Sequence, residues 1–337
     1  MEKLELAIEQ IKRELPGMTL LENEPLAAHA SFRIGGPARA IAVPADVSGV
    51  THVCCILKEH GLAPLMLGNG TNLLFPDEGL SEVLLVSTEK LTKLFLLPDG
   101  AIYAEAGVSL SRLASFAQQN GLAGLEFASG IPGSLGGGCR MNAGAYGGEL
   151  KDVIESVVCY YTPEQALYEL RGEDCAFSYR ASRFSRIGGF VVLSAVLRLP
   201  KGDPEEIAAK MRELNERRRD KQPLDLPSAG SAFKRPEGYF AAKLIEDCGL
   251  KGFRVGGAQV SEKHAGFIVN VGGATSHEVY ELMDQVRRTV YEKTGVTLEP
   301  EVILLSPDYC PEDRGPSVPR HRVTINDWSA GTPAKED

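Results

Sequence analysis

Residues 129–148 read Ser-Gly-Ile-Pro-Gly-Ser-Leu-Gly-Gly-Gly-Cys-Arg-Met-Asn-Ala-Gly-Ala-Tyr-Gly-Gly, and this stretch decides which folds the chain can adopt. Glycine inside a helix or strand costs about 0.5–1 kcal/mol relative to alanine, so no ordinary core element is expected to tolerate so dense a run. A flexible linker would, but Ile131, Leu135, Met141 and Tyr146 are poor linker residues. The reading that accommodates both is a segment lining a ligand, where absent side chains let backbone N–H groups come close. A shorter segment, Gly68-Asn69-Gly70-Thr71-Asn72, follows the apolar run LAPLML. Its successive N–H groups could admit a pyrophosphate. An isolated GxG is more often a strand-to-strand turn, however, and the full GxGxxG of a dinucleotide site is absent. Two glycine segments, each after an α/β element, suit a large flat cofactor carrying phosphates. They also localise much of a glycine count of 36 in 337 residues, well above the roughly 7% of average usage.

Outward from these segments the pattern alternates. Residues 37–86 read as strand (Ala40–Val43), helix and two short strands, with Val47, Val50, Val53, Ile56 and Leu57 at helical spacing and Gly61 as the stop. Residues 101–106 read as a strand, after which Ser109 caps a helix carrying Leu110, Leu113, Phe116 and Ala117 that ends at Gly121. Phe190–Leu199 is β-branched and apolar enough for a buried strand, closed by Pro200 and Gly202. A domain boundary near 204 follows from LPKGDPEE, where Asp203 caps, Pro204 sits first, and Glu205 and Glu206 favour the helix dipole. Beyond it we expect helix 204–220, a strand at 231–234, helix 239–248, strands near 254–271, helix 276–294 and strand 296–305. Residues 306–337 hold five prolines, scattered charges and the single tryptophan, Trp328, without the period of an element.

Composition narrows the function. Hydrophobic residues make up 43% and charged residues 24%, as in ordinary globular chains, and no fixed-period repeat is present. A net charge of −9 offers no broad attraction for phosphate backbones or anionic lipid, so nucleic acid and membrane give way to a small-molecule partner. The N-terminal MEKLELAIEQIKREL is a charged amphipathic helix without a signal-peptide core, which places the protein in the cytoplasm. Seven scattered cysteines (Cys54, Cys55, Cys139, Cys159, Cys175, Cys248, Cys310) without a CxxC read as reduced small hydrophobes. The six histidines form no HxxxH or HExxH, so no metal is expected.

Three further residues invite chemistry. Arg180, in Tyr179-Arg180-Ala181-Ser182-Arg183-Phe184, could hold a carboxylate bidentately, or be a surface arginine in a turn. Ser231, in AGSAF, lacks the GxSxG of a hydrolase and alone would be structural. Glu301, in EPEV, opens a hydrophobic strand; burial there would raise its pKa towards proton-transfer range, whereas an exposed strand-end acid would do nothing.

Taken in this order, the segments resemble the UDP-N-acetylenolpyruvoylglucosamine reductases (UDP-N-acetylmuramate dehydrogenases), flavoenzymes of bacterial cell-wall precursor synthesis. The resemblance runs from His29-Ala30-Ser31-Phe32-Arg33-Ile34-Gly35-Gly36 to Glu301-Val302. It rests on GNGTN, SGIPGSLGG with MNAGAYGGE, YRxSRF, AGSAF and EPEV together. It implies an α+β fold: an N-terminal helix and lead-in at 1–30, an FAD-binding domain of the vanillyl-alcohol-oxidase (PCMH) type at 31–200, a C-terminal α+β substrate-binding domain at 204–305, and a loose tail at 306–337. The FAD-binding domain would have two subdomains, 31–88 and 89–200. Noncovalent FAD would rest on Gly68, Asn69, Gly70, Thr71, Asn72, Gly130, Ile131, Gly133, Ser134, Gly137, Asn142 and Ala143.

The family's catalytic residues fall on Arg180, Ser231 and Glu301. By the resemblance, NADPH reduces the flavin, leaves, and is replaced by UDP-N-acetylglucosamine enolpyruvate, which takes the hydride at C3. Arg180 would meet the charge developing towards the carboxylate, Glu301 would organise that site, and Ser231 would protonate C2, assisted by a hydrogen-bond network. Lys221 in RDKQP and His264 in KHAGFIVN match positions that approach substrate phosphates, and Arg235 stands where some members have asparagine. RPEGYFAAKLI is similar to the Gram-positive form, without an inserted tyrosine loop. Arg140 occupies a position where an apolar residue is expected. No obligate protein partner is implied. Two other readings compete: an FAD-dependent oxidase or dehydrogenase of the same domain class, with flavin tethered through a histidine such as His29, and a nucleotide-binding module without catalysis. The joint presence of Arg180, Ser231 and Glu301 speaks against the second.

Overall fold

Asp46 accepts a hydrogen bond from the Gly49 N–H at 2.8 Å and so starts the helix that the valine spacing predicts. In the computed structural model, which describes residues 2–309, 311 and 321–323, that helix belongs to the first of three units. The unit comprises α1 (Glu2–Glu14), β1 (Thr19–Pro25), β2 (Pro37–Val43), α2 (Val47–Glu59), β3 (Leu65–Leu67), β4 (Leu73–Leu74) and β5 (Leu80–Ser87). Its sheet has the order β1-β2-β5-β3, antiparallel only at β1. Both faces of β2 are covered, as a mainly parallel sheet requires. Ala40 and Ala42 join the core under α1 and α2, while Ala38, Ile41 and Val43 pack with Leu26, Leu67 and Phe75.

The second unit contains β6 (Leu94–Leu96), β7 (Ile102–Glu105), α3 (Leu110–Gln119), α4 (Leu135–Met141), the short pair β8 (Gly144–Ala145) and β9 (Gly148–Glu149), then β10 (Ile154–Tyr161), β11 (Ala166–Arg171), α5 (Arg183–Arg186) and β12 (Phe190–Leu197). Here one expectation fails: α4 lies within the glycine-rich run. The reason is close packing. A Cβ on Gly136 would sit 3.0 Å from that of Ala106, and one on Gly138 would sit 2.7 Å from Leu150 Cδ1. Bare backbone lets α4 press onto the end of β7, where Gly136 N donates to Ala106 O at 2.8 Å.

Helix α6 (Pro204–Lys221), assigned from the sequence to the last unit, packs instead against α3 and the turn at Glu126–Ala128, burying Ile207 and Leu214. The third unit holds α7 (Ala241–Asp247), β13 (Arg254–Val255), β14 (Ala258–Val260), β15 (Ile268–Asn270) and α8 (Ser276–Thr294), the last with a Thr275/Glu278 capping box. Val279, Leu282, Val286 and Val290 of α8 meet Ile245 and Ile268 in its core. The strand expected at 296–305 shrinks to β16 (Ile303–Leu304), which pairs in parallel with β4 of the first unit. Residues 231–234 form only isolated bridges. Pro300 lacks an N–H, and the segment around it bonds alternately to two neighbours rather than to one strand.

Where the sequence allowed no element, β17 (His321–Val323) pairs with β11 at the edge of a sheet ordered β17-β11-β10-β12-β7-β6. The remainder of the expected tail, residues 310, 312–320 and 324–337, lies outside the described residues. Among the described residues, no helix is long and apolar enough to cross a membrane.

Candidate active site

A cavity of about 520 Å³ opens between the units, lined by both glycine segments, the start of β12, and Arg180, Ser231 and Glu301. The first glycine segment is wedged under the lead-in. Gly70 has φ +59°, and a Cβ there would lie 1.8 Å from the His29 carbonyl oxygen, so only glycine fits. Asn69 Nδ2 donates to Pro132 O at 3.0 Å and ties the two segments together.

Within the second segment the glycines differ in what they answer to. Gly136 and Gly138 are required by protein packing, as above. Gly133 and Gly137 are not: the nearest atoms to an added Cβ are Thr71 Oγ1 at 3.7 Å and Ser134 Oγ at 3.6 Å respectively. Gly137 is exposed to the cavity. Bare backbone that no neighbouring side chain demands fits an occupant of the cleft, and it is the feature that a flavin nucleotide would require here.

Arg180 reaches the cavity from a tight turn in which Ser178 N donates to Ala181 O at 2.9 Å and Arg180 itself takes φ 52°. Its Nε donates to Glu301 Oε1 at 2.6 Å, with the two side chains 21% and 13% exposed. Burial raises the Glu301 pKa above the ordinary glutamate value, and Arg180 opposes that shift. Ser231 follows Gly230, which has φ +78°, and bridges to Phe267. Backbone bonds then carry the site across the chain. Ala232 N donates to Gly266 O at 2.8 Å, Glu301 N to Ala232 O at 2.9 Å, and Ile303 N to Asn72 O at 3.0 Å. The Asn72 side chain adds Nδ2 to Glu301 O at 3.1 Å. The three candidates thus face one cavity although they come from separate segments.

Of the twelve residues assigned to the cofactor from sequence, ten line the cavity, whereas Gly130 and Asn142 do not. Gly130 is bare for packing, since a Cβ would fall 2.6 Å from Asn215 Oδ1. Asn142 is wholly buried; its Nδ2 donates to Glu149 Oε2 at 2.9 Å and Ser178 O at 3.1 Å, and its Oδ1 accepts from Lys151 N at 3.0 Å. It is a scaffold beneath the turn that carries Arg180. Lys221, Arg235 and His264 also stand outside the lining. Arg235 lies over the Phe240 ring at 3.8 Å and donates its backbone N–H to Tyr179 Oη at 3.1 Å. His264, its pKa lowered chiefly by burial, accepts from Gly266 N at 3.2 Å.

Sequence reasoning missed several lining residues, among them Arg218, Gln222, Tyr309 and Gly188–Gly189. Arg218 was hidden in the run RRRDK, which reads as a solvated helix face. The Gly188-Gly189 pair before β12 was a usable signal. The network expected around Ser231 is absent among the described residues: no described side chain hydrogen-bonds its hydroxyl. Nor do the described residues place three or more His, Cys, Asp or Glu side chains together to hold a metal.

Comparison with known proteins bears directly on this cavity. Residues 38–163 match the model of an FAD binding domain, and residues 222–305 match that of the UDP-N-acetylenolpyruvoylglucosamine reductase C-terminal domain. A UDP-N-acetylenolpyruvoylglucosamine reductase of Lachnoclostridium phytofermentans is 49% identical over 286 residues, covering 84% of this chain and 92% of its own. Its counterpart in Caldanaerobacter subterraneus subsp. tengcongensis is 47% identical over 303 residues, 89% of this chain and 98% of its own. The crystal structure of the Thermus caldophilus reductase superposes with a TM-score of 0.72 at 32% identity, covering 86% of this chain and 99% of its own.

Proposed function

The chain belongs to the UDP-N-acetylenolpyruvoylglucosamine reductase family of FAD-dependent oxidoreductases, and from that premise we propose that it reduces UDP-N-acetylglucosamine enolpyruvate to UDP-N-acetylmuramate with NADPH, in peptidoglycan precursor synthesis. The observation that carries this reading is the Arg180–Glu301 pair at 2.6 Å facing the same cavity as Ser231 and the bare backbone of Gly133 and Gly137. FAD bound in this cleft would supply the two-electron chemistry that reduction of the enolpyruvyl double bond by NADPH needs.

The residues of this chain handle charge and protons. Gly68–Asn72 and Ile131–Gly137 hold the flavin nucleotide noncovalently. The ring of His29 is engaged by Glu24 at 2.9 Å and does not line the cavity, which supports noncovalent attachment over a histidyl tether. Arg180 binds the substrate carboxylate and opposes the negative charge that builds there as C3 gains the hydride. Glu301 fixes the guanidinium through Nε and leaves the terminal N–H groups free for substrate. Ser231 then delivers its proton to C2, completing addition of a hydride and a proton across the double bond. Lys221 and His264 serve the substrate phosphates from beside the cavity, together with Arg235.

The test is NADPH oxidation followed by absorbance with and without the enolpyruvyl sugar nucleotide. Oxidation that depends on this substrate is the expected result, and oxidation indifferent to it would sink the assignment. In Ser231→Ala, flavin reduction by NADPH should persist while reoxidation by substrate falls by about 10²–10⁴-fold. If both half-reactions stay normal, Ser231 is not the donor.

A further inference from the structure

Arg140, on α4, faces the cavity. It follows Gly136 and Gly137 by four and three positions on α4, so all three share one face of the helix. Both its ends are fixed to the turn before β12. Its Nη1 donates to the Phe184 carbonyl, and its own carbonyl accepts from Ser182 Oγ at 2.7 Å. Among the described residues it forms no ion pair with a carboxylate. Its side chain is solvent-accessible in the open cleft, where the surrounding protein atoms lower its pKa.

An arginine on the wall of the cleft without a carboxylate partner offers a fork of N–H donors to an anion in the cleft. One of its five N–H donors is spent on Phe184, which leaves the others for a ligand. The neighbouring bare backbone at Gly137 says which ligand: whatever lies against that face of α4 lies against Arg140 as well. We propose that Arg140 is a cofactor-binding residue that holds a phosphate of FAD. The inference rests on the FAD reading above.

The test is titration of FAD into the flavin-stripped protein, followed by flavin fluorescence at two ionic strengths, for the native chain, Arg140→Met and Arg140→Lys. Urea midpoints of the stripped proteins show that each variant is folded. Loss of one charge-assisted contact predicts a Kd about 10- to 100-fold higher in Arg140→Met, with a smaller loss in Arg140→Lys. The salt dependence of Kd should shrink in Arg140→Met, since the screened attraction is gone. Unchanged FAD affinity in Arg140→Met overturns the proposal, as does an equal loss in both variants with an unaltered salt dependence. A defect confined to the KM of NADPH or of the sugar nucleotide overturns it too, by assigning the charge to another phosphate. Failure of the native chain to bind FAD would instead refute the cofactor reading itself.

Discussion

Replacing Gly137 by alanine should push stability and cofactor affinity in opposite directions. Gly137 lies in α4 with ordinary helical backbone, is exposed to the cavity, and would place a Cβ no nearer than 3.6 Å to any protein atom. In the flavin-free protein the substitution therefore meets no clash, and it removes the backbone entropy penalty of glycine, about 0.5–1 kcal/mol. For a chain of this size that corresponds to a rise in melting temperature of about 1 °C. Once FAD occupies the cleft, the same methyl group intrudes on closely packed atoms, a cost of about 1–3 kcal/mol, or roughly 5- to 150-fold in Kd. Gly70→Ala is the contrasting control. Its Cβ would stand 1.8 Å from a backbone carbonyl at φ +59°, so about 2–5 kcal/mol of strain and overpacking falls on the protein with or without flavin. Thermal scans of the stripped proteins and fluorescence titration with FAD measure both quantities. A Gly137→Ala protein that binds FAD as tightly as the native chain would refute the claim that this glycine is bare for the cofactor.

Glu301 should also leave a signature in the pH dependence of stability. Its folded-state pKa is raised by burial, so the native state binds more protons than the unfolded state, and stability falls as pH rises from about 4.3 through the raised value. Glu301→Gln keeps an acceptor for Arg180 and removes that slope; urea unfolding at a series of pH values checks it, and parallel curves for the two proteins would contradict the buried, ionisable Glu301 described here. Asn142→Ala loses three hydrogen bonds at a left-handed position, φ 45°, and should destabilise the protein by about 2–4 kcal/mol. A variant of native stability with weakened FAD binding would return Asn142 to the cofactor, where the sequence reading had it.

Local signals explain why much of the fold could be read. The caps Ser109 and Asp203 act on N–H groups two or three residues away, and the apolar positions that Ser109 introduces repeat within one helix. Such information is carried by the segment itself. The failures share the opposite character. Helix α4 exists because Ala106 and Leu150 lie where glycine lets them approach, and neither contact is visible from residues 135–141. The ladder of 296–305 dissolves because its partners are Ala232, Lys234 and Asn72 rather than one neighbouring strand. Helix α6 carries a boundary-like start, yet a proline at its first turn fixes only where a helix begins, not what it packs against.

The pairing of Arg180 with Glu301 shows the same limit at higher stakes. Glu299 and Glu301 are two apart, so a strand periodicity places both on one face, separated by about 6–7 Å along the segment. Sequence alone cannot choose between them as partner for Arg180. In the structure Glu299 is 71% exposed and meets Lys234 at 3.4 Å, while Glu301 is 13% exposed and meets Arg180 at 2.6 Å. A slip of two residues would exchange them. The slip is resisted by Ala232, whose carbonyl accepts from Glu301 N, and by Asn72, whose carbonyl accepts from Ile303 N and whose side chain donates to Glu301 O. Asn72 closes GNGTN and lines the cavity. Its side chain, however, is bonded to the backbone of the glutamate segment. The GNGTN loop therefore helps set which carboxylate reaches the arginine. The two glycine-bearing and acid-bearing motifs that look independent in sequence are joined through one asparagine, so their spacing along the chain carries no trace of that connection.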